Sequence, residues 1–196
     1  MDINISKLFS GDSIDTSNRE EFLKYLYDNK NDSIYHIDRF PTLVENIEKF
    51  DQINIFYQEV LENKVTKKDF LDIELKYRNF MNKLWLYNKV FVNFSASSES
   101  YAPLSKIVDK EYAKYLDIFK SKISKEKTFE ITEKNELEFW VQIAFRDVAD
   151  VTFYLKDYQA IIMPNYDCIF DIYLENQEFY KIIKDIVNSE GLFLRK

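Results

Sequence analysis

The spacing of apolar residues changes at about Thr128, and this change constrains the fold more than any other feature of the sequence. Before it, apolar residues recur every three or four positions, as at Phe70, Ile73 and Tyr77, which is the period of an amphipathic helix. After it, apolar and polar residues alternate, as in 151–156, which is the period of a half-buried strand. Helices followed by strands define an α+β fold.

The first part of the chain is predicted to be helical. Thr16 and Ser17 are good N-cap residues for a short first helix, and Thr66 with Asp69 resembles a capping arrangement for a central one. A Ser-rich loop at 95–100 precedes the last of these helices. The predicted helices cover about 18–28, 42–62, 66–87, and a segment from after the loop to about 123.

The second part is predicted to be an antiparallel meander of four or five strands followed by one helix. The segment 137–145 alternates as a strand does, but a helix through 137–149 is the alternative, because Trp140, Ala144 and Val148 also share a helical face. We favour the strand, since a helix would leave Phe139 on its flank. The remaining strands are predicted at 151–156, 159–163 and 168–174, with a possible edge strand or extended loop at 33–37.

We therefore predict one α+β domain over 1–196, with a helical part at about 1–125, a sheet part at about 128–174 and a terminal helix at about 176–189. Gly191 is expected to stop that helix. The N-terminal helices are expected to cover one face of the sheet.

Composition excludes several classes of protein. Only two glycines are present, which argues against glycine-rich phosphate loops. The single cysteine, Cys168, excludes an internal disulfide and a cysteine-cluster zinc site. There is no signal-peptide pattern and no apolar run approaching the ~20 residues of a membrane helix. These features predict a cytoplasmic protein that does not enter a membrane.

The net charge is −7, which argues against nucleic acid as a partner, because phosphate binding needs a basic face. The charge is uneven, since the stretch 129–175 holds ten acids and three bases. A concentrated negative charge favours a basic protein partner. The ten acids are Glu130, Glu133, Glu136, Glu138, Asp147, Asp150, Asp157, Asp167, Asp171 and Glu175.

No residue pattern specifies catalysis, a metal or a cofactor, and we predict none of these. His36 is the only histidine, and although Asp38 is near it in sequence, no serine or cysteine nucleophile has a recognisable spacing to it. Cys168 is expected to be a buried, inert core residue. Carboxylate pairs such as Asp147 with Asp150 arise by chance in an acidic protein.

A surface is the strongest functional candidate. If the strand prediction holds, Glu138, Trp140, Tyr154, Asp171 and Tyr173 share the sheet face opposite the main apolar stripe. Exposed aromatic residues with acids around them are typical of a protein-binding site. The alternative is that helices pack on this face and make the aromatic residues part of the core.

The functional hypothesis is a non-enzymatic, acidic protein-binding module of the immunity or antitoxin type, which inhibits a basic partner such as a toxin. Charge steering gives such inhibitors fast association. The alternative is a small-molecule-binding protein or enzyme with an aromatic-lined pocket and carboxylates. A structural or oligomeric module is a third possibility, and the oligomeric state is left open.

Overall fold

The protein has an α+β fold built on one antiparallel sheet, in a computed structural model that describes residues 19–55, 57–62, 66–95, 107–122, 128–165 and 168–196. The strands are β1 Ile34–Asp38, β2 Val90–Ser95, β3 Phe129–Glu130, β4 Asp150–Leu155, β5 Ala160–Asn165, β6 Ile169–Leu174 and β7 Phe193–Arg195. They pair in the order β3–β2–β4–β5–β6–β1–β7, and these neighbours are antiparallel.

Short 3-10 turns at 31–33, 110–112 and 177–179 each lie next to one end of a helix. The helices are α1 Arg19–Asn29, α2 Ile47–Ile53, α3 Tyr57–Leu61, α4 Lys67–Tyr87, α5 Ala113–Lys122, α6 Lys134–Phe145 and α7 Tyr180–Ser189. The predicted cap of α4 is confirmed, because the Thr66 hydroxyl accepts a hydrogen bond from the Asp69 amide and so satisfies a free amide of the first turn. The predicted caps Thr16 and Ser17 and most of the predicted Ser-rich loop, at 96–100, lie outside the described residues.

The predicted meander is confirmed as β4, β5 and β6. β4 and β5 are joined by a tight turn in which Gln159 has a φ of 48°, a left-handed conformation that few non-glycine residues adopt. The predicted terminal helix is confirmed as the 3-10 turn at 177–179 and α7. Gly191 follows it with a φ of 67°, as expected of a helix C-terminus.

The sheet extends beyond the predicted meander because the helical part of the chain contributes β1 and β2. β1 is an interior strand, since Ile37 pairs with Phe170 of β6 and with Leu194 of β7. It is therefore neither the edge strand nor the loop that the sequence predicted at 33–37. The continuously apolar β2 was not predicted at all, and it lies between β3 and β4.

The strand predicted at 137–145 is wrong, because this segment forms most of α6. The flank that argued against a helix is covered by α5, whose Tyr115 and Phe119 contact Phe139 at ring-centroid distances of 5.7 and 6.4 Å. A helix that is buried on several sides has no polar face. Its apolar spacing therefore does not distinguish it from a strand.

The single helix predicted at 42–62 is also wrong. The chain forms two short helices, α2 and α3, and the Asn54 side chain lies at the end of the first. That side chain accepts hydrogen bonds from the Ile55 amide at 3.1 Å and from Arg39 at 2.9 Å. Asparagine that bonds nearby backbone in this way competes with helix continuation.

Both faces of the sheet are covered by helices. On the main face, Phe153, Ile162 and Ile172 belong to a large core that includes side chains of α4, α5, α6 and α7. On the second face, Tyr154 and Ile161 belong to a smaller core with side chains of α1. The expectation that the helices cover one face is therefore wrong for α1, which was predicted correctly as a helix but lies on the opposite side.

Candidate functional site

The five residues predicted to bind a partner do not share a sheet face. Glu138 and Trp140 lie on α6, and Tyr154, Asp171 and Tyr173 lie on the second face of the sheet. All five are buried, with exposed fractions between 0 and 9%. The predicted open face is therefore wrong, and the alternative in which helices cover the sheet face is correct for Tyr154, Asp171 and Tyr173. A partner would reach these side chains only if a covering helix moved.

Glu138 joins three segments of the protein. Its carboxylate accepts hydrogen bonds from Asn82 of α4 at 2.7 Å and from the Tyr112 hydroxyl at 2.8 Å, and it lies 3.3 Å from the Lys134 ammonium. Burial raises the pKa of the Glu138 carboxyl, but these hydrogen bonds outweigh burial and hold the pKa below its ordinary value. The role supported by these contacts is structural.

A second buried network centres on Arg146, whose side chain is fully buried. Its guanidinium donates to Glu74 of α4 at 2.6 and 2.9 Å, to the Ile107 carbonyl, and to Asp109 at 3.3 and 3.4 Å. Burial raises the pKa of the Asp109 carboxyl. The charge of Arg146 and the hydrogen bonds from Arg146 and Gln142 outweigh burial, so this pKa lies below its ordinary value. These hydrogen bonds connect residues 107–109 to α4 and α6.

Asp171 brings together side chains that are distant in sequence. One carboxylate oxygen lies 2.6 Å from His36 Nδ1, and the other accepts from the Tyr27 hydroxyl at 2.6 Å and from Asn165 at 3.2 Å. The Asp171 side chain is 2% exposed and the His36 side chain is 37% exposed. A carboxylate only accepts hydrogen bonds. Nδ1 therefore donates to it, and the other ring nitrogen is left for a different partner.

The partner of His36 is therefore not Asp38, its acidic neighbour in the sequence. Asp38 instead accepts from Arg195 at 2.7 Å. His36 and Asp171 meet because they are register partners in the β1–β6 pair. Two residues 135 positions apart can be paired only with knowledge of the sheet order, so the sequence carried no signal for this contact.

The stretch 129–175, with its ten acids, is only partly a charged surface. Of its ten acids, Glu136, Glu138 and Asp171 are buried, and Asp167 lies outside the described residues. The other six are exposed. They are Glu130, Glu133, Asp147, Asp150, Asp157 and Glu175.

A different segment exposes both acids and large apolar side chains. We call residues 43–53 the acidic segment. Leu43 is 69% exposed, Ile47 is 73% exposed, and α2 has no buried residue. The exposed acids of the segment are Glu45, Glu48 and Asp51, with Lys49 as its one base.

The acidic segment is fixed to the end of β1. Arg39 donates to the Ile53 carbonyl at 3.0 Å, and the rings of Phe40 and Phe50 lie 6.3 Å apart. At the start of α2, the Asn46 side chain accepts from the Lys49 amide at 2.9 Å. The segment is therefore an ordered surface feature in which Leu43 and Ile47 are exposed.

Cys168 is buried, as predicted, but it precedes β6 in a left-handed conformation with a φ of 59°. Its thiol lies 3.4 Å from the Ile55 carbonyl. Its low reactivity stays a prediction.

Among the described residues, no group of three or more histidine, cysteine, aspartate or glutamate side chains is arranged to hold a metal ion.

Within the same described ranges, no helix has both the length and the apolar character needed to cross a membrane. Comparison of the chain with known protein families, with curated proteins and with solved structures finds no match.

Proposed function

We propose that the protein is a non-enzymatic binding protein for a basic protein partner, of the immunity or antitoxin type, and that the acidic segment is its contact surface. The observation that carries the proposal is the exposure of Leu43 and Ile47 together with three exposed acids in a segment, 43–53, that has no buried residue. Large apolar residues exposed together mark interaction sites.

Apolar and acidic side chains have different roles in this proposal. Leu43 and Ile47 would lose their water on binding and contribute most of the affinity, as buried anchors do. Glu45, Glu48 and Asp51 would surround them and attract a basic partner from solution. Steering of this kind raises association rates and weakens with salt, because the screening length is about 8 Å at 0.15 M.

Charge reversal in the acidic segment is expected to slow association with the partner. The variant is E45K/E48K/D51K, and we expect an association rate constant about tenfold lower at low salt, within the range over which charge steering acts. Leu43→Ala should instead speed dissociation, since a desolvated anchor holds the complex once it has formed. The measurement is surface-based binding kinetics with the captured partner, including the product of the neighbouring reading frame.

A matched control is available because other helices also carry exposed acids. D72K/D117K/D185K changes the net charge by the same amount, and Asp72, Asp117 and Asp185 are exposed on α4, α5 and α7. The proposal requires this control to keep most of the association rate. Equal slowing by both triple variants, or capture of no basic protein that responds to the first variant, would contradict it.

A second candidate function is an enzyme or small-molecule-binding protein that uses His36. The observation that favours it is the contact between the exposed imidazole and the buried Asp171 carboxylate at 2.6 Å. A carboxylate that orients a histidine through Nδ1 leaves Nε2 as a positioned general base.

The second candidate predicts measurable activation of water by His36. We expect the native protein to hydrolyse p-nitrophenyl acetate faster than His36→Gln, with Asp171→Asn intermediate between them. Because His36 is the only histidine, no other imidazole contributes to the measured rate. If His36→Gln is as fast as the native protein, this candidate is wrong, whatever the result for the acidic segment.

A further inference from the structure

The second face of the sheet carries a continuous row of apolar side chains. Antiparallel pairing places Phe91 beside Tyr154, Tyr154 beside Ile161, Ile161 beside Tyr173, and Tyr173 beside Ile34. All five are at most 4% exposed. Three of them are aromatic, so the row is a large apolar surface that must be covered.

Among the described residues, α1 is the one helix with side chains in this smaller core. Phe22 and Leu26 are its buried residues, at 5 and 2% exposed, and Leu23 and Tyr25 are partly buried against the cluster. An i, i+4 pair of this kind forms one apolar stripe on a helix. Within the described part of the chain, the cover is a single short helix with two buried anchors, whereas side chains of α4, α5, α6 and α7 cover the main face.

α1 also has a polar contact with the sheet. Tyr27, which is 39% exposed, donates its hydroxyl to the Asp171 carboxylate at 2.6 Å. When this contact is lost, Asp171 keeps its bonds to His36 and Asn165. Asp171 therefore has a defined place for one donor from the covering helix, and that donor is a neutral hydroxyl.

We propose that α1 is a displaceable cover, and that the face beneath it binds an amphipathic helix of a partner that carries lysine or arginine at the place of Tyr27. A cationic donor to a carboxylate makes a stronger hydrogen bond than a neutral hydroxyl does, so it would favour exchange. This proposal rests on the proposed binding function, because both require a basic partner. It also gives Tyr154, Asp171 and Tyr173 a role in binding.

Opening of α1 can be measured with two adjacent residues. Ile161 faces α1, Ile162 faces the main core, and both are 0% exposed. In a Cys168→Ser background, we expect Ile161→Cys to react with a thiol reagent at least about tenfold faster than Ile162→Cys, because a local opening exposes only the first. Phe22→Ala should accelerate labelling at position 161 and leave position 162 unchanged.

Equal labelling at both positions would show that the face opens only on global unfolding, and would overturn the cover. Met163, which is 3% exposed and belongs to the same smaller core, gives a second position if Ile161→Cys fails to fold. Each rate is compared with the rate of the same variant in urea, so that differences in intrinsic reactivity are removed.

The chemistry of the occupant is tested with peptides on the full chain. Phe22→Ala/Leu26→Ala removes the two anchors of α1 and is combined with Ile161→Cys in the Cys168→Ser background. A peptide of residues 19–29 with Tyr27→Lys is expected to slow labelling of the thiol at position 161 at least about tenfold. The matched peptide with Tyr27→Glu should not protect it. Equal protection by both peptides, or by neither, would overturn the proposed occupant. The result is independent of the acidic-segment variants, so each proposal can fail separately.

Discussion

Replacement of Arg146 by methionine is expected to lower the free energy of unfolding by about 3–5 kcal/mol, the usual cost of removing one partner from a buried ion pair. The Arg146 side chain is fully buried and the Glu74 side chain is 3% exposed. Without the guanidinium, the Glu74 carboxylate would stay in the interior with no opposite charge. The Ile107 carbonyl would also lose its hydrogen bond from Arg146. Equilibrium unfolding in urea measures the change.

Two further variants show whether the buried charge causes this loss. Glu74→Leu/Arg146→Met removes both charges of the pair, so it should be less destabilised than Arg146→Met alone. Lys114→Met breaks the pair between Lys114 and Glu133, whose side chains are 59 and 60% exposed, and should leave stability nearly unchanged. If the double variant is less stable than the single one, volume and packing would explain the effect instead of charge.

The position of Arg146 also shows a limit of reading charge from the sequence. The stretch 129–175 holds an excess of acids, and the sequence therefore predicted an acidic surface there. In the structure Glu138 and Asp171 are internal hydrogen-bond acceptors. Charge reversal at those positions is therefore expected to damage the fold and cannot report on association alone. The exposed acids that adjoin exposed apolar residues lie in the acidic segment.

Local patterns in the sequence were sufficient for elements with alternating apolar and polar residues, a clear cap or a glycine stop. The cap at Thr66, the meander of β4 to β6 and the stop at Gly191 belong to this class. The sequence was insufficient for two other buried elements. α6 is covered on several sides and β2 is buried along most of its length, so neither has the alternation that distinguishes helix from strand.

The candidate site was beyond sequence analysis for a different reason. His36 meets Asp171 through the pairing of β1 with β6, and Tyr27 reaches the same carboxylate because α1 lies on the second face. Sheet order and the side on which a helix packs are long-range choices. Residue spacing within one segment does not contain them. The sequence analysis predicted Asp171 as a site residue on an open aromatic face, and the fold has no such face.

Truncation of Trp140 to alanine distinguishes the predicted role of this residue from the observed one. The sequence predicted an anchor for a partner, whereas the structure places the indole in the main core at 0% exposure. Its ring centroid lies 4.5 Å from that of Phe94, 5.0 Å from Phe139 and 5.5 Å from Phe129. Removing a ring from such a cluster leaves a cavity that its neighbours cannot fill.

We expect Trp140→Ala to lower the free energy of unfolding by about 3–5 kcal/mol, as for other buried aromatic residues. Trp140→Phe should cost clearly less, because no described residue accepts a hydrogen bond from the indole Nε1 and the smaller ring keeps most of the contacts. Tyr87→Ala is the control, since Tyr87 is 63% exposed and its loss should change stability by no more than about 0.5 kcal/mol. Urea unfolding of the three variants gives the comparison. A Trp140→Ala variant with native stability and weakened partner binding would restore the anchor role and contradict the placement of Trp140 in the core.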